Sequence, residues 1–317
     1  KQKTAYEIGV RLVGSEMCIR DSNYTVREEP AVVGTYRGLQ VVSSQPPHGG
    51  PTLIAILNIL EGYELRSLGH NSAEYIYLVS MAMKAAFADR NRHLADPQHI
   101  KVPLEWLTSK ERAAEWREVI DRGEPINVGR RQHDAPDTTH VTVVDDAGNC
   151  VSLTHSLGTS SGVISPKLGF MYNNSMVNFE PQTGHPNSIA PGKGRTTGMT
   201  PTMVMKDSKP MLVLGAPGAT RITTSVLQVI LNHVDFGLGI SDAVWAPSFD
   251  CQGNEIVCQA RIPQQTCDAV GARHPTQRLS QSHGGMALVH AIAIDEMSGT
   301  LSGAADTGGE GMALLVE

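Results

Sequence analysis

Apolar residues recur at helical spacing in several parts of the chain. Leu53, Ile56, Leu57 and Leu60 follow an i, i+3, i+4, i+7 pattern, which places them on one face of a helix. Pro51 suits the first turn of this helix, because proline lacks the N–H group that a first turn leaves unpaired. The same periodicity predicts further helices over residues 72–93, 105–120 and 222–234.

Runs rich in β-branched residues on either side of short polar turns predict antiparallel hairpins. The central hairpin joins residues 137–145 to residues 149–156 through an Asp-Ala-Gly-Asn turn. Further hairpins pair residues 202–206 with 211–215 and residues 286–294 with 300–304. Single strands are predicted over residues 36–43 and 169–176, and a long Pro- and Gly-rich loop over residues 180–198.

Composition narrows the class of protein. The chain has 317 residues, of which 40% are hydrophobic and 18% charged, so it can bury a substantial core. Its net charge of −6, without a basic run, argues against nucleic acid or an anionic membrane as a partner. No stretch approaches the roughly 18 consecutive apolar residues of a transmembrane helix, and no cofactor motif is present. Five cysteines without CxxC spacing predict free thiols rather than a disulfide framework or a metal site.

Residues 1–22 differ from the rest of the chain. They lack proline and any capped periodic segment, and they meet Asn23 abruptly. Residues 5–22 resemble translated library-adapter sequence, so we expect residues 1–22 to be a non-native leader outside the fold. On this interpretation the native N-terminus and any signal peptide are absent, and the compartment stays open.

A threonine stands where the central hairpin begins. Thr138 follows Asp137 and a polar, Gly- and Pro-containing stretch over residues 121–136 that we expect to be mobile. If the chain is cut before Thr138, its hydroxyl becomes a nucleophile and its new α-amine, with a pKa of roughly 8, becomes the base. A Thr-Thr-His sequence alone is more often an ordinary strand start, so this hypothesis needs other residues to support it.

A glycine turn at residues 215–220 opens the helix predicted at residues 222–234. Backbone N–H groups at such a turn are well placed to bind an anion, including a transient oxyanion. A plain strand-to-helix connection explains the same residues equally well, and both interpretations stay open at this point.

Several short motifs occur in a fixed order between Tyr36 and about Gly311. They are Pro46, the glycine pair at 49–50, ADR at 88–90, DTTHV at 137–141, NNSM at 173–176, MTPT at 199–202 and GAPGATR at 215–221. Together they resemble the γ-glutamyltransferase family (γ-glutamyltranspeptidases, glutathione hydrolases) of the N-terminal-nucleophile hydrolase superfamily.

The resemblance implies an α+β fold, a four-layer α-β-β-α sandwich of antiparallel sheets, here incomplete at the N-terminus. It also implies a precursor that cuts itself between Asp137 and Thr138 into a heterodimer. Residues 23–137 would then be the C-terminal part of a large subunit, and residues 138–317 the small subunit. The large-subunit part is short for the family, so we expect a fragment that lacks the segment supplying an arginine for the substrate α-carboxylate.

The resemblance also assigns roles to individual residues. Thr138 matches the nucleophile, and Ser156 matches a hydroxyl residue that orients it. Gly218 and Ala219 match the glycine pair whose N–H groups form the oxyanion hole. Residues that match the α-carboxylate site are Thr197 and Gly198.

Three positions around the expected donor site depart from the family pattern. Gly158 stands where the family has Asn, Ser175 where it has Gln, and Asn178 where it has the Asp that pairs with the substrate ammonium. Losing such a charge-assisted bond costs roughly 1.5–3 kcal/mol, or about ten- to a hundredfold in affinity.

The leading hypothesis is therefore an enzyme that transfers the acyl group of a glutathione-like γ-glutamyl amide to water or an amino acid. It would use an acyl-Thr138 intermediate and neither a metal nor a cofactor. One alternative is an acylase-like amidohydrolase that takes a different acyl group, which the three departures favour. The other is a catalytically silent relative, against which the intact Thr138 argues.

Overall fold

The structure, a computed structural model, describes residues 26–129 and 137–316. The chain divides into two units, residues 1–30 and residues 31–317. Of the first unit only residues 26–30 are described, and they form neither helix nor strand. The predicted leader, residues 1–22, lies outside the described residues, and so do residues 130–136 of the stretch 121–136 that was expected to be mobile. The second unit carries all the elements that follow.

The strands and helices of this unit occur in groups along the chain. The strands are β1 (Val32–Tyr36), β2 (Leu39–Ser43), β3 (Asp137–Val144), β4 (Cys150–Gly158), β5 (Ser160–Ile164), β6 (Met171–Asn173), β7 (Thr202–Lys206), β8 (Lys209–Gly215), β9 (Phe249–Asp250), β10 (Ile256–Cys258), β11 (Thr276–Arg278), β12 (His290–Ile294) and β13 (Leu301–Ala305). The α-helices are α1 (Gly50–Leu60), α2 (Leu65–Leu68), α3 (Ala73–His93), α4 (Leu104–Leu107), α5 (Lys110–Asp121), α6 (Ile222–Val234), α7 (Ile240–Trp245) and α8 (Gln264–Gly271).

A six-stranded antiparallel sheet, in the order β1-β2-β7-β8-β12-β13, lies at the centre of the unit. Helix α1 packs against β1 and against α3 and α6, and α6 also contacts β8. The contact surface is built from buried apolar side chains such as Leu53, Ile56, Val79, Leu214 and Val226. Burial of this kind supplies most of the stability of a domain, at roughly 25 cal/mol for each Å² of apolar surface.

The separate β3–β4 hairpin packs across β8 and β12. The Ser152 hydroxyl on β4 donates to the carbonyl oxygen of Leu214 on β8 at 2.9 Å. His290 on β12 lies 3.1 Å from the His140 carbonyl oxygen through its Nδ1 atom. These contacts fix the hairpin, and with it Thr138, against the large sheet. The result is a mixed α and β structure with antiparallel main sheets.

Most of the long elements confirm the sequence predictions. Helices α1, α3 and α6 lie where apolar periodicity placed them, and Pro51 lies in the first turn of α1. The Ser72 hydroxyl caps α3 by accepting from the Tyr75 N–H at 3.1 Å. The three predicted hairpins form as β3–β4, β7–β8 and β12–β13, and residues 180–198 contain no helix or strand.

Three predicted elements were wrong in their extent. The single strand over residues 36–43 is a hairpin, because Arg37 and Gly38 turn the chain with φ of 53° and 78°. The single helix over residues 105–120 is two helices, because the Ser109 hydroxyl caps a new helix by accepting from the Arg112 N–H at 3.0 Å. The strand over residues 169–176 is only Met171–Asn173, followed by a 3₁₀ turn over Ser175–Asn178.

Within the described residues, no helix is both long and apolar enough to cross a membrane. The same residues bring no three His, Cys, Asp or Glu side chains close enough to hold a metal ion together.

Candidate active site

The pairing of β3 with β4 is irregular at the predicted cleavage site. Thr138 pairs with Ser156 and Asp137 pairs with Gly158, so Leu157 is an extra residue on β4. Gly158 takes a φ of 74°, which glycine adopts without steric cost. A bulge of this kind changes the direction of the neighbouring side chains and is common beside active sites.

A chain of hydroxyl groups runs across this bulge. Thr138 Oγ1 donates to Ser156 Oγ at 2.9 Å, and Ser156 Oγ donates to the carbonyl oxygen of Asp137 at 3.2 Å. Ser156 Oγ also accepts from the Gly158 N–H at 3.0 Å. Ser156 therefore connects the side chain of Thr138 to the carbonyl of the peptide bond that precedes it.

The Asp137 side chain is held by the start of β5. Its Oδ2 atom accepts hydrogen bonds from both the N–H and the hydroxyl of Ser160. Because two donors from one residue fix this carboxylate, the Asp137–Thr138 peptide lies in a defined position at the start of β3.

His140 stabilises the hairpin beneath Thr138, a role that the sequence analysis missed. It is buried, and its two ring nitrogens lie 2.8 Å from Thr154 Oγ1 and 2.9 Å from Thr142 Oγ1. Burial, and then the proximity of His290, lowers the pKa of His140 to about 4, so the ring is neutral at physiological pH. A Cβ atom on Gly215 would lie 2.2 Å from the His140 ring, so glycine is required where the hairpin crosses β8.

The turn at Gly218 and Ala219 connects β8 to α6. Gly218 has a φ of 142°, and a Cβ atom there would lie 2.3 Å from the Ala287 Cβ atom. Ala219 has a φ of 57°, a left-handed conformation that costs a residue with a side chain roughly 1–2 kcal/mol. The Arg221 N–H donates to the Gly218 carbonyl oxygen at 3.1 Å and closes the turn.

The segment at Thr197 and Gly198 packs directly against this turn. A Cβ atom on Gly198 would lie 2.4 Å from the Ala219 carbonyl oxygen, so only glycine allows the two segments this approach. The Thr197 N–H donates to the Pro47 carbonyl oxygen at 3.0 Å, and Arg90 Nη2 donates to the Thr197 carbonyl oxygen at 3.1 Å. The family motifs around Pro46 and Arg90 therefore act here as supports for residue 197.

One cleft brings together six of the ten site residues predicted from the sequence. They are Thr138, Ser156, Asn178, Thr197, Gly198 and Ala219. The cleft also has lining residues that the sequence analysis did not single out, namely Arg195, Thr196, Met199, Thr220 and Ile222. Arg195 is the charged member of this set. Its position beside Thr197 was the available signal, since an arginine in a binding loop is a common anion ligand.

The other four predicted residues do not line the cleft. Asp137 and Gly218 adjoin lining residues in the chain, and Gly158 contacts Ser156 through its N–H group. Ser175 Oγ donates to the Leu157 carbonyl oxygen at 3.4 Å, so its side chain contacts the bulge. Gly158 and Ser175 thus contact the bulge beside the cleft, while Asp137 and Gly218 flank its lining residues in the chain.

Asn178 places an unsatisfied acceptor at the cleft. Asn178 is buried, and its Oδ1 atom has no hydrogen-bond partner among the described residues. The Asn187 amide donates to the Asn178 carbonyl oxygen at 2.8 Å, which fixes the backbone but leaves the side chain available. A buried acceptor without a partner costs about 1–3 kcal/mol, which a donor group on a ligand would offset.

The gamma-glutamyltranspeptidase family model matches residues 9–316. The chain belongs to the γ-glutamyltranspeptidase family, and the resemblance seen in its motifs is confirmed.

Two curated relatives, one named an acylase and one a glutathione hydrolase, are similar to this chain in sequence. An acylase ACY 1 proenzyme from Pseudomonas sp. strain V22 is 39% identical over 290 residues, which cover 90% of this chain and 51% of that protein. A glutathione hydrolase proenzyme from Pseudomonas sp. strain A14 is 36% identical over 280 residues, which cover 82% of this chain and 47% of that protein. The chain thus spans about half the length of these curated relatives.

Solved structures agree with this placement. The fold is similar to that of the cephalosporin acylase from Bacillus halodurans, with a TM-score of 0.82, 26% identity and coverage of 93% of this chain and 55% of that one. It is also similar to the gamma-glutamyltranspeptidase from Pseudomonas nitroreducens complexed with L-DON, with a TM-score of 0.52 and 32% identity. That match covers 56% of this chain and 100% of the solved chain.

Proposed function

We propose that this chain carries the catalytic residues of an enzyme that hydrolyses or transfers γ-glutamyl amides through an acyl-threonine intermediate. The proposal rests on the hydrogen-bonded hydroxyl groups of Thr138 and Ser156 at the start of β3. There Thr138 Oγ1 donates to Ser156 Oγ in the same cleft that Thr197 and Ala219 line. Thr138 is the nucleophile, and the reaction needs no metal or cofactor.

The first step is self-cleavage between Asp137 and Thr138. Thr138 Oγ1 attacks the carbonyl carbon of Asp137, the C–N bond breaks, and an ester forms while Thr138 gains a free α-amino group. Water then hydrolyses the ester, which leaves a carboxylate on Asp137 and a hydroxyl on Thr138. The hydrogen bond from Ser156 Oγ to the Asp137 carbonyl oxygen, at 3.2 Å, supports this step because it polarises the carbonyl that is attacked.

The second step is acyl transfer by the mature enzyme. The α-amine of Thr138, with a pKa of roughly 8, accepts the hydroxyl proton while Oγ1 attacks the donor amide carbon. The N–H groups of Gly218 and Ala219 stabilise the oxyanion, and the leaving amine takes the proton. Water or an amino-acid acceptor then releases the acyl group from Thr138.

The donor would lie along the same cleft. Thr197 and Gly198 hold the α-carboxylate of the γ-glutamyl group, beside the turn that contributes the oxyanion donors. Asn178 faces the α-ammonium with an amide oxygen instead of a carboxylate, and Gly158 and Ser175 shape the wall behind it. Binding of the ammonium is therefore weaker than in relatives that carry a carboxylate at position 178.

The proposal extends to the subunits and the layers of the fold. Residues 23–137 would belong to a large subunit and residues 138–317 to a small subunit of a heterodimer. The names of the two relatives, both proenzymes, support processing of this kind. The solved gamma-glutamyltranspeptidase chain from Pseudomonas nitroreducens is matched over its whole length by 56% of this chain. A small subunit that begins near Thr138 would have about this share of the chain, so the match supports the boundary. The complete fold would be a four-layer α-β-β-α sandwich.

A second candidate is an acylase that takes an acyl group other than γ-glutamyl. The neutral Asn178 favours it, because the described residues that line the cleft offer no negative charge to an ammonium group. The acylase relative, 39% identical, supports it equally.

Mass spectrometry of the intact protein tests the proposal. The unmodified precursor should yield two fragments that separate between Asp137 and Thr138. Thr138→Ala should remain one uncut chain and be inactive toward a γ-glutamyl anilide, because it lacks the nucleophile for both steps. Thr138→Ser is the matched control, since its hydroxyl should restore cleavage in part. Cleavage of Thr138→Ala at the same bond, or hydrolysis of the anilide by it, would rule the mechanism out.

A further inference from the structure

The turn that would carry the oxyanion donors contains a strained residue. Ala219 has a φ of 57°, a left-handed conformation that a residue with a side chain keeps only when surrounding contacts impose it. Ala219, Thr220 and Ile222 line the cleft, whereas Arg221 is not among the described residues that line it. The contacts of Arg221 can therefore hold the turn without occupying the cleft.

Asp250, on β9, contacts Arg221 directly and through a hydroxyl group. The carboxylate of Asp250 is almost completely buried, and its Oδ2 atom lies 3.5 Å from Arg221 Nε in an ion pair. Its Oδ1 atom accepts from the Thr224 hydroxyl at 2.8 Å, and the same hydroxyl lies 3.1 Å from the Arg221 carbonyl oxygen. Gln252 Nε2 also donates to Oδ1, at 2.9 Å. Because removal of Arg221 would leave a buried carboxylate without its cation, the two side chains are held against each other.

Arg221 connects this carboxylate to the turn and to a neighbouring segment. The backbone N–H of Arg221 donates to the Gly218 carbonyl oxygen at 3.1 Å, and its Nη1 atom donates to the Gly285 carbonyl oxygen. The segment after Gly285 returns to the turn, where the Leu288 N–H donates to the Pro217 carbonyl oxygen at 2.9 Å. Arg221 is thus bonded both to the turn and to the segment that packs against it.

We propose that Asp250 and Arg221 are positioning residues for acyl transfer. Their ion pair holds Ala219 in its left-handed conformation and thereby fixes the N–H groups of Gly218 and Ala219 where the oxyanion forms. The inference rests on the acyl-threonine function proposed above and adds to it two residues that do not touch the donor. Because the oxyanion forms only during acylation and deacylation, loss of the pair should lower kcat and leave KM nearly unchanged.

Asp250→Asn tests the ion pair in the complete, self-cleaved protein, because it keeps an oxygen that can accept from Thr224 and removes the charge. We expect kcat for a γ-glutamyl anilide to fall about ten- to a hundredfold with KM within about threefold, a smaller loss than removal of a whole oxyanion donor causes. Asp235→Asn is the matched control. The carboxylate of Asp235 is also buried, pairs with Arg37 at 3.0 Å and follows the far end of the same helix, α6. This control should leave kcat within about twofold. A loss in Asp250→Asn no larger than that in Asp235→Asn would overturn the inference.

Arg221→Gln removes the other member of the pair and should lower kcat to a similar extent. The double variant of Asp250→Asn and Arg221→Gln should be at most about threefold slower than either single variant, because both remove the same interaction. Each variant should still cut itself between Asp137 and Thr138, because Ser156 holds the Asp137 carbonyl at 3.2 Å through contacts that include neither residue. Losses that multiply, a change confined to KM, or absence of self-cleavage in both single variants would overturn the inference.

Ala219→Gly provides a readout that a general structural role of the pair would not move. Glycine adopts a φ of 57° without steric cost, so a turn with glycine at position 219 depends less on the ion pair. The fold-loss of kcat caused by Asp250→Asn should therefore be at least about fivefold smaller in Ala219→Gly protein than in protein with Ala219. An equal loss in both backgrounds would overturn the inference. Failure of the proposed function has a different signature, namely an unmodified protein that neither cuts itself nor hydrolyses the anilide.

Discussion

The two faces of the β3–β4 hairpin have opposite compositions and opposite surroundings. The face that packs toward β8 and β12 carries polar side chains, namely Thr138, His140, Thr142, Ser152, Thr154 and Ser156. The other face carries four apolar side chains that are about half exposed, namely Val141 at 49%, Val143 at 49%, Val151 at 52% and Leu153 at 57%, together with exposed Thr139 and His155. An antiparallel hairpin on a protein surface usually has the reverse arrangement.

The polar face is stable because its groups bond to one another. His140 lies between Thr142 and Thr154, and Ser152 donates to the backbone of β8. A buried polar group that is fully paired costs little, and a network of such groups fixes one arrangement of the side chains. The consequence is a rigid support that holds the hydroxyl of Thr138 against that of Ser156.

The apolar face matches the four-layer arrangement proposed above. Contiguous exposed apolar side chains on one face of a sheet commonly mark a surface that another element covers. In the proposed sandwich, a further helical layer would cover Val141, Val143, Val151 and Leu153. On the proposed function and fold, the polar face would hold the catalytic threonine and the apolar face would pack against a further layer.

The largest expected effect concerns the pH dependence of the polar face. Folded His140 takes up a proton only below about pH 4, whereas the same histidine in the unfolded chain does so below its ordinary pKa of 6.5. The unfolded state therefore binds more protons between these values, and the free energy of unfolding falls as the pH is lowered. Between pH 7 and pH 4.5 the loss attributable to His140 should be about 2.5 kcal/mol.

Urea unfolding of the uncut Thr138→Ala precursor at both pH values measures this loss. His140→Gln keeps a neutral hydrogen-bonding group without an ionisable ring, so its stability should depend on pH less by about the same 2.5 kcal/mol. An equal pH dependence in the two proteins would show that His140 is not held neutral by burial.

The second prediction exchanges Thr and Val on opposite faces of the same strand. Thr142→Val removes a hydroxyl that bonds to the His140 ring at 2.9 Å, and we expect it to destabilise the protein by about 1–2 kcal/mol. Val143→Thr is the matched reverse exchange at a position that is 49% exposed, and it should change stability by less than about 0.5 kcal/mol. Both are measured from urea midpoints. A stabilising Thr142→Val would mean that the inner face behaves as an ordinary apolar core.

The sequence predicts an element well when the pattern that defines it extends over many residues, and poorly when one or two residues define it. Helices α1, α3 and α6 carry long apolar periodicities, which burial in the core imposes along the whole element. The turn at Arg37 and the cap at Ser109 depend on one or two residues, so the surrounding pattern concealed them. The region of β9, β10, β11 and α8 was not predicted, since its strands of two or three residues are too short to show a period.

The same distinction applies to the site. The resemblance to the family assigned site roles to Thr138, Ser156 and Thr197, and the structure places all three in one cleft. Arg195 and His140 escaped notice for different reasons. The position of Arg195 two residues before Thr197 was a weak signal until the structure placed both residues in the cleft. The importance of His140 shows only when the packing reveals that the polar face of the hairpin is the buried one.

The smallest expected effect concerns the apolar face. Leu153→Thr should change the stability of the 317-residue chain by less than about 0.5 kcal/mol, because Leu153 is 57% exposed there. In a precursor of the relatives' full length, where the proposed helical layer covers β4, the same substitution should cost about 1 kcal/mol, because further apolar surface of Leu153 is buried. Leu214→Ala, buried in both proteins, should cost about 2–5 kcal/mol in each and serves as the control. If Leu153→Thr has the same small effect in both proteins, nothing covers this face, and its exposed valines and leucine need an explanation other than a fourth layer.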